Sequence, residues 1–413
     1  MLLLAAQWLA LLAPASLSLI ILTAGALGFS GPDAVEFVGR SLLLVGIFTV
    51  AQLVIGHRLP AFEGPASVIL AAILLALGHA HPREPVSAVA GGLVVSGAVL
   101  VLIGLGGVVR VLVRVYTQFV TAIFLLLLTA TIAWQLLPDA VAARGPGWTG
   151  ARPVAFVAVV GISLALELRG PGAWRALSIL VGFLAGMAVF LAAGSLGPAP
   201  AGGAVLRVVT EAPVFEPGVA IPIAIGGLLA GLNGLATANA VSAAVGAELS
   251  GGRLTRGLVV TGVSHAVQGI VPGLGSVPRA DSAALAARDP ALARPSLALG
   301  CAALAAVSLI GPAVRFLIRL PEALAADVLL AVMASLTVLS LRILLRTAWT
   351  RARAVVFVLS MVVGGFLVPG PPGWLPGWTQ YVASSPVGLG LLVALVGEAL
   401  LLRRDRSFSR AED

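Results

Sequence analysis

Apolar runs long enough to cross a bilayer, about 20 residues for a helix, recur from Leu2 to Leu402, and no polar block of soluble-domain size separates them. The solvent for most of such a surface is lipid, so the expected fold is one all-α polytopic membrane domain. The composition agrees: 59% hydrophobic residues, 10% charged and a mean hydropathy of +1.09 would force a water-soluble chain of 413 residues to expose large apolar patches. The first run, from Met1 to about Phe29, has no Lys or Arg ahead of it and reads as a permanent first span rather than a cleavable signal. Cys301, alone in an apolar run, can form neither an internal disulfide nor a metal cluster and is expected to pack against a neighbouring helix.

Gly, Pro and polar punctuation divides the runs into fourteen candidate spans, at 5–28, 36–56, 64–78, 86–106, 115–137, 153–168, 173–194, 219–246, 255–270, 277–288, 296–314, 323–341, 354–369 and 386–402. The net charge of +8 includes 25 Arg and no Lys. A basic total can signal nucleic acid, but these Arg residues fall at helix ends, as membrane topology predicts. If both termini are cytoplasmic, Arg should collect after even-numbered spans and in the tail, 403–413. Seventeen of the 25 do, among them Arg58, Arg110, Arg114, Arg175, Arg253, Arg256, Arg288, Arg353 and Arg410. Six lie opposite (Arg83, Arg144, Arg152, Arg207, Arg315 and Arg319), and Arg40 and Arg279 fall near or within spans. The expectation is an inner-membrane protein with an even span count and cytoplasmic termini.

The third and tenth segments are short apolar helices preceded by extended, Pro/Gly-rich chain: His57-Arg58-Leu59-Pro60-Ala61-Phe62-Glu63-Gly64-Pro65-Ala66-Ser67 and Val271-Pro272-Gly273-Leu274-Gly275-Ser276-Val277-Pro278. Each is third in its half of seven. Interrupted segments at corresponding places point to a transporter built on inverted repeats, here spans 1–7 (1–196) and 8–14 (213–402). Non-helical backbone at membrane depth needs protein or a water-filled cavity around it, so the two breaks should face each other. The half-helix starts, around Ala66-Ser67 and Asp281-Ser282, would then offer free N–H groups to a polar or anionic solute.

These residues make the chain recognisable: it resembles the nucleobase/ascorbate transporter family, which includes bacterial uracil and xanthine permeases, as a divergent member. The likeness runs nearly end to end. Gln7-Trp8 stands where the family has a Gln-His pair. Val45-Gly46-Ile47-Phe48-Thr49, Gly56-His57-Arg58-Leu59-Pro60 and Glu63-Gly64-Pro65-Ala66-Ser67 are similar to its approach to span three. Pro213-Val214-Phe215-Glu216-Pro217 resembles the lead-in to span eight, and Arg256 through Gly262 the opening of span nine. The family's solute-binding carboxylates lie in spans eight and ten. Spacing to Gly262 puts Asn233 at the first position; spacing from Gly269 puts Asp281-Ser282 at the family's Glu-Asn pair, whereas alignment on Pro278 puts Ala284 there. The resemblance further implies a solute-carrying core domain of spans 1–4 and 8–11, a gate domain of spans 5–7 and 12–14, and frequently a homodimer.

A charge at the bilayer centre costs roughly 2.5–3.5 kcal/mol even on the gentlest scale, so intramembrane polar groups need a partner, a cavity or a proton. Asp281 reads as a site residue that can pair with Arg279 when no solute is bound, or as an N-cap with a structural salt bridge. Asn233 reads as a solute contact able to donate and accept, or as interhelical glue. Glu63 lines a cavity or caps the half-helix. Gln7, Trp8 and Gln52 are placed around the cavity by the resemblance; Trp8 suits stacking on a planar base, or an interfacial belt. Asn239 and Ser242 read as packing or cap residues, and His265 as a structural hydrogen-bonding group ahead of a proton relay. Glu167 and Glu398 look like helix-end charges and Asp327 like a dimer or gate-surface residue.

An enzyme would need clustered catalytic groups, and the sequence has no HExxH, no paired Asp-rich prenyl-diphosphate motif and no nucleotide loop. Four scattered His and one Cys offer no metal site, and no cofactor is expected. The expected function is a permease moving a nucleobase by proton symport, with no nucleic-acid partner and membrane lipid around it. Asp281 is the expected proton carrier and Glu63 the other candidate, coupling being weakened if the span-eight carboxylate is essential to it. The alternative is an anion carrier of the sulfate-permease type, which a neutral Asn233 would suit.

Overall fold

Backbone in lipid must satisfy its own N–H and C=O groups, and the described residues do so with helices and one pair of short strands that bond each other. The computed structural model describes residues 1–80, 82–107, 109, 117–141, 151–171, 174–175, 177–197, 210–367 and 386–409. Arg110, Arg114, Arg144, Arg207 and Arg410, all part of the charge count, lie outside the described residues.

The first half contains α1 (Leu2–Ala26), α2 (Gly31–Val54), β1 (Glu63–Pro65), α3 (Ser67–Ala80), α4 (Pro85–Leu105) and α5 (Gln118–Val141). It continues through α6 (Ala151–Phe156), a π-helical turn (Val157–Gly161), α7 (Ile162–Arg169) and α8 (Ser178–Ala192). The second contains α9 (Pro217–Val245), α10 (Gly251–Ile270), β2 (Ser276–Pro278), α11 (Ser282–Ala286), α12 (Pro290–Ser308), α13 (Gly311–Ile318), α14 (Glu322–Leu345), α15 (Arg351–Leu367) and α16 (Pro386–Ser409). Pro in the first turn of α2, α4, α9 and α12 presets the helical φ where no intrahelical N–H bond is lost. Asp289 caps α12 by accepting from Leu292 N–H at 3.2 Å.

Helical backbone lies over each expected segment, and the chain is a multi-pass membrane protein. Among the described residues five helices are long and apolar enough to cross a membrane by length and composition: Gly31–Val54, Pro85–Leu105, Pro217–Val245, Pro290–Ser308 and Ala323–Leu345. Several boundaries shift by a few residues, and three differences are larger. The eleventh segment is broken between Ser308 and Gly311, giving α12 and the separate α13. The two half-helices are unequal, 14 residues in α3 and 5 in α11. Helix α16 runs on to Ser409 through Arg403, Arg404 and Arg406, past the expected start of the tail.

The two interrupted segments meet. β1 and β2 pair antiparallel with Glu63 opposite Pro278, Gly64 opposite Val277 and Pro65 opposite Ser276, all buried. Beyond the strands, Arg279 N–H donates to Phe62 O at 2.8 Å and Ala66 N–H to Gly275 O at 3.3 Å. Gly275 enters β2 at φ +80°, a conformation that other residues rarely adopt. Helix α4 packs closely on α9 and α10. At its crossing with α10, a Cβ on Gly97 would stand 2.4 Å from Gly262 O, and one on Gly262 2.7 Å from Gly97 O, so only glycine permits that approach.

Candidate solute site

A cavity of about 120 Å³ opens where the strands hand over to the half-helices. Its floor is Pro65 to Val68 and Val277 to Asp281; Asn233 and Thr237 face it from α9, one turn apart; Leu19, Phe124, Leu128, Ile132 and Met333 close it from α1, α5 and α14. The pairing of β1 with β2 brings the start of α3 to the wall, and the first N–H groups of a helix have no intrahelical acceptor.

The polar groups on this wall are unevenly satisfied. Arg279 donates to Asp281 Oδ2 through Nη2 at 2.6 Å and through Nε at 3.0 Å. Asp281 Oδ1 and Asn233 Oδ1 are buried acceptors with no hydrogen-bond partner. A buried acceptor without a donor costs about 1–3 kcal/mol, which a solute N–H group would recover. The arrangement offers a small planar molecule two acceptors, the donors at the start of α3 and the guanidinium of Arg279.

Of the expected site residues, Asn233, Asp281, Ala66 and Ser67 share this wall. Asp281, and not Ala284, faces the cavity; Ala284 is buried elsewhere in the core. Asp281 sits at the N-cap of α11 but makes no side-chain cap bond, so its partner is Arg279. Four residues fall elsewhere. Ser282 Oγ accepts from Phe62 N–H at 3.0 Å and locks the strand crossing. Trp8, 3% exposed, donates from Nε1 to Ser296 Oγ at 3.1 Å, so it neither stacks in the cavity nor sits in an interfacial belt. Gln7 is buried on α1, away from the wall, with Oε1 unpartnered. Glu63, 0% exposed, does not line the cavity; its carboxylate lies in a polar pocket. There Thr261 Oγ1 donates to Glu63 Oε1 at 2.7 Å and Gln52 Nε2 at 3.2 Å, while Glu63 N–H donates to Thr49 Oγ1 at 3.0 Å.

His265 is the structural group expected, held between Ser96 Oγ and Ser276 O, each at 2.9 Å. Asn239 donates back to Leu235 O at 3.0 Å within its own helix. Three carboxylates expected at helix ends or a surface are in ion pairs between distant segments, Glu167 from its expected helix end. Glu398, fully buried, accepts from Arg353 at 2.9 Å; Glu167 accepts from Arg288 at 2.9 Å; Asp327, fully buried, pairs with Arg152. The apolar wall from α5 and α14 was not foreseen, because Phe124 and Met333 lie in uninterrupted apolar runs without a distinguishing neighbour.

The fold has known counterparts. The structure aligns with the transmembrane domain of BicA, a cyanobacterium bicarbonate transporter, at TM-score 0.52 and 17% identity over 96% of both chains. It aligns with murine SLC26A9, an anion transporter in an inward-facing state, at TM-score 0.56 and 14% identity over 98% of this chain and 68% of that one. A Bacillus subtilis (strain 168) protein named as a purine permease, YwdJ, is 25% identical over 202 residues, 47% of this chain and 46% of that protein. The match thus spans about half of that relative. The model of the Permease family, Xan_ur_permease, matches residues 1–373. With that match over most of its 413 residues, the chain belongs to the xanthine/uracil permease family.

Proposed function

We propose that the chain takes up a nucleobase or a related lactam heterocycle across the inner membrane by alternating access coupled to protons. In this reading fourteen spans form two inverted seven-span repeats and the protein works as a homodimer. The observation that carries the substrate class is the pair of unpartnered buried acceptors, Asn233 Oδ1 and Asp281 Oδ1, on one cavity wall. A ring with alternating N–H and C=O groups gives donors to both and accepts from the start of α3 and from Arg279. The volume, about 120 Å³, is close to the roughly 150 Å³ apolar cavity known to take up benzene, so a single ring fits without movement of the walls. The name carried by the Bacillus subtilis relative supports a purine; a bicyclic base requires α5 or α14 to move outward.

One observation favours an anion instead: the wall holds the Arg279 guanidinium, and residue 233 is a neutral amide. Thermal unfolding of the detergent-purified protein with uracil, xanthine, hypoxanthine, guanine, urate, ascorbate and sulfate separates the two. Ligand at a hundredfold excess over its Kd stabilises by about 2.7 kcal/mol. Stabilisation by a heterocycle in the wild type and its loss in Asn233→Ala is the expected result. Stabilisation by sulfate alone overturns the heterocycle reading in favour of an anion carrier.

A further inference from the structure

Glu63 is a carboxylate inside the membrane domain that the solute cavity does not use. It is fully buried, and among the described residues it makes no ion pair; Oε1 takes both hydrogen bonds that the pocket offers, from Thr261 and Gln52, and Oε2 has no partner. Asp281, by contrast, is paired with Arg279. The charged groups nearest Glu63 are engaged elsewhere, exposed or at the far end of their helix. Helix α1 brings none; Asp33, Glu36 and Arg40 belong to the opposite end of α2. Past β2, Arg279 is tied to Asp281. On α10, His265 is held by Ser96 and Ser276, Arg253 donates to His57 O, Arg58 O and Glu248 O, and Arg256 is exposed. On α12, Arg294 donates to Leu53 O, and the Cys301 thiol is bonded to Thr49.

An unpaired carboxylate in such a setting is stable only when a cation reaches it, and the smallest, a proton, needs no further ligands. We propose that Glu63, in its cradle of Gln52, Thr49 and Thr261, is the binding site of the coupled proton, separate from the solute site and at the start of strand β1. The carboxylate takes one proton to give the neutral acid and returns it after solute release, so one proton crosses per solute. Strand β1 is the mechanical link. Glu63 begins it, and Pro65, Ala66 and Ser67, two to four residues on, form the cavity floor. Charging Glu63 therefore disturbs the strand that presents the start of α3 to the solute. On the other side, Thr261 and His57 line a second cavity of about 10 Å³, about the room one water needs, next to the exposed Arg58. His57 Nδ1 accepts from Leu59 N–H at 3.0 Å, which leaves Nε2 as the protonated nitrogen, buried and without a partner. That cavity gives the proton a way out toward the Arg-rich end.

This inference rests on the proposed uptake function for its transport readout only, and a solute-free readout keeps the two separable. Infrared difference spectra of the purified protein across a pH titration should show the carbonyl band of a protonated carboxyl in the wild type and in Asp281→Asn, lost in Glu63→Gln. Absence of the band from the wild type, or its survival in Glu63→Gln, overturns the proposal whether or not a solute is known. In proteoliposomes with the solute found by thermal unfolding, a one-unit pH gradient should drive about tenfold accumulation by the wild type, one unit being one tenfold step in chemical potential. Glu63→Gln should accumulate none yet still exchange labelled for unlabelled solute, and Glu63→Asp should restore accumulation. Wild-type accumulation by Glu63→Gln, or accumulation driven by a sodium gradient alone, overturns the proton assignment.

Discussion

Arg279 and Asp281 are two residues apart, yet between them they govern the charge of the solute cavity. Removing one member of a buried ion pair strands the other and typically costs about 3–5 kcal/mol, less where a cavity hydrates it. Asp281→Asn should therefore lower the unfolding temperature, and adding Arg279→Gln should recover part of the loss because the stranded guanidinium goes with it. Neither variant should bind solute. An additive double variant in thermal unfolding would rule out the pair as a coupled unit. Trp8 supplies the opposite test. Its indole N–H serves Ser296 between α1 and α12, far from the wall, so Trp8→Phe should cost about 1 kcal/mol of stability and leave solute affinity within twofold by titration calorimetry. A tenfold loss of affinity would return Trp8 to the site. These contrasts show where sequence reading stops. Asn233 and Asp281 were readable because a family motif and a chain break mark them, while Trp8, at a motif position, was misplaced because spacing says nothing of which helix its side chain meets.

At the level of elements, the crossing of α4 with α10 depends on two glycines that face each other. A methyl at position 97 has the Gly262 carbonyl 2.4 Å away and the Ala266 nitrogen at 2.8 Å, so the helices must separate. Overpacking of this kind costs about 1–3 kcal/mol. At Gly252, in the first turn of α10, an added Cβ meets nothing within 4 Å, and Ala there should gain about 0.5–1 kcal/mol from reduced chain entropy. Gly97→Ala should thus destabilise and Gly252→Ala stabilise, in denaturant or thermal unfolding; the same sign for both would remove close backbone approach as the explanation. The places of the interrupted segments were visible in Pro-Ala-Phe-Glu-Gly-Pro and Pro-Gly-Leu-Gly-Ser-Val-Pro, because Pro and Gly are local signals. The antiparallel register of β1 with β2 and the unequal lengths of α3 and α11 were not, since partners more than 200 residues apart in the chain decide them.

Across the whole molecule, one side chain joins the segment that carries the candidate solute site to the elements expected to form the gate. Arg288, two residues past α11, donates to Glu167 Oε2 at 2.9 Å near the end of α7, to Ser335 Oγ at 3.1 Å on α14, to Arg175 O at 3.3 Å, and to Ser178 Oγ at the start of α8. All four partners belong to segments six, seven and twelve, on the gate side of the expected division. Arg288 also counts among the Arg residues expected to mark the cytoplasmic face, so sliding or opening the half-helix segment toward that face has to break this cluster first. Arg288→Gln keeps some hydrogen bonding but removes the charge that Glu167 answers, and it should shift the population toward an open cavity without touching the solute wall. The readout is access: with Cys301→Ser as background, a single Ala66→Cys on the cavity floor is labelled from the cytoplasmic side by a membrane-impermeant maleimide. Labelling should be several-fold faster with Arg288→Gln than without it, and solute should slow both. Equal rates would mean that Arg288 only anchors the fold, and a loss of labelling in both would place the cavity on the opposite face from the Arg-rich end.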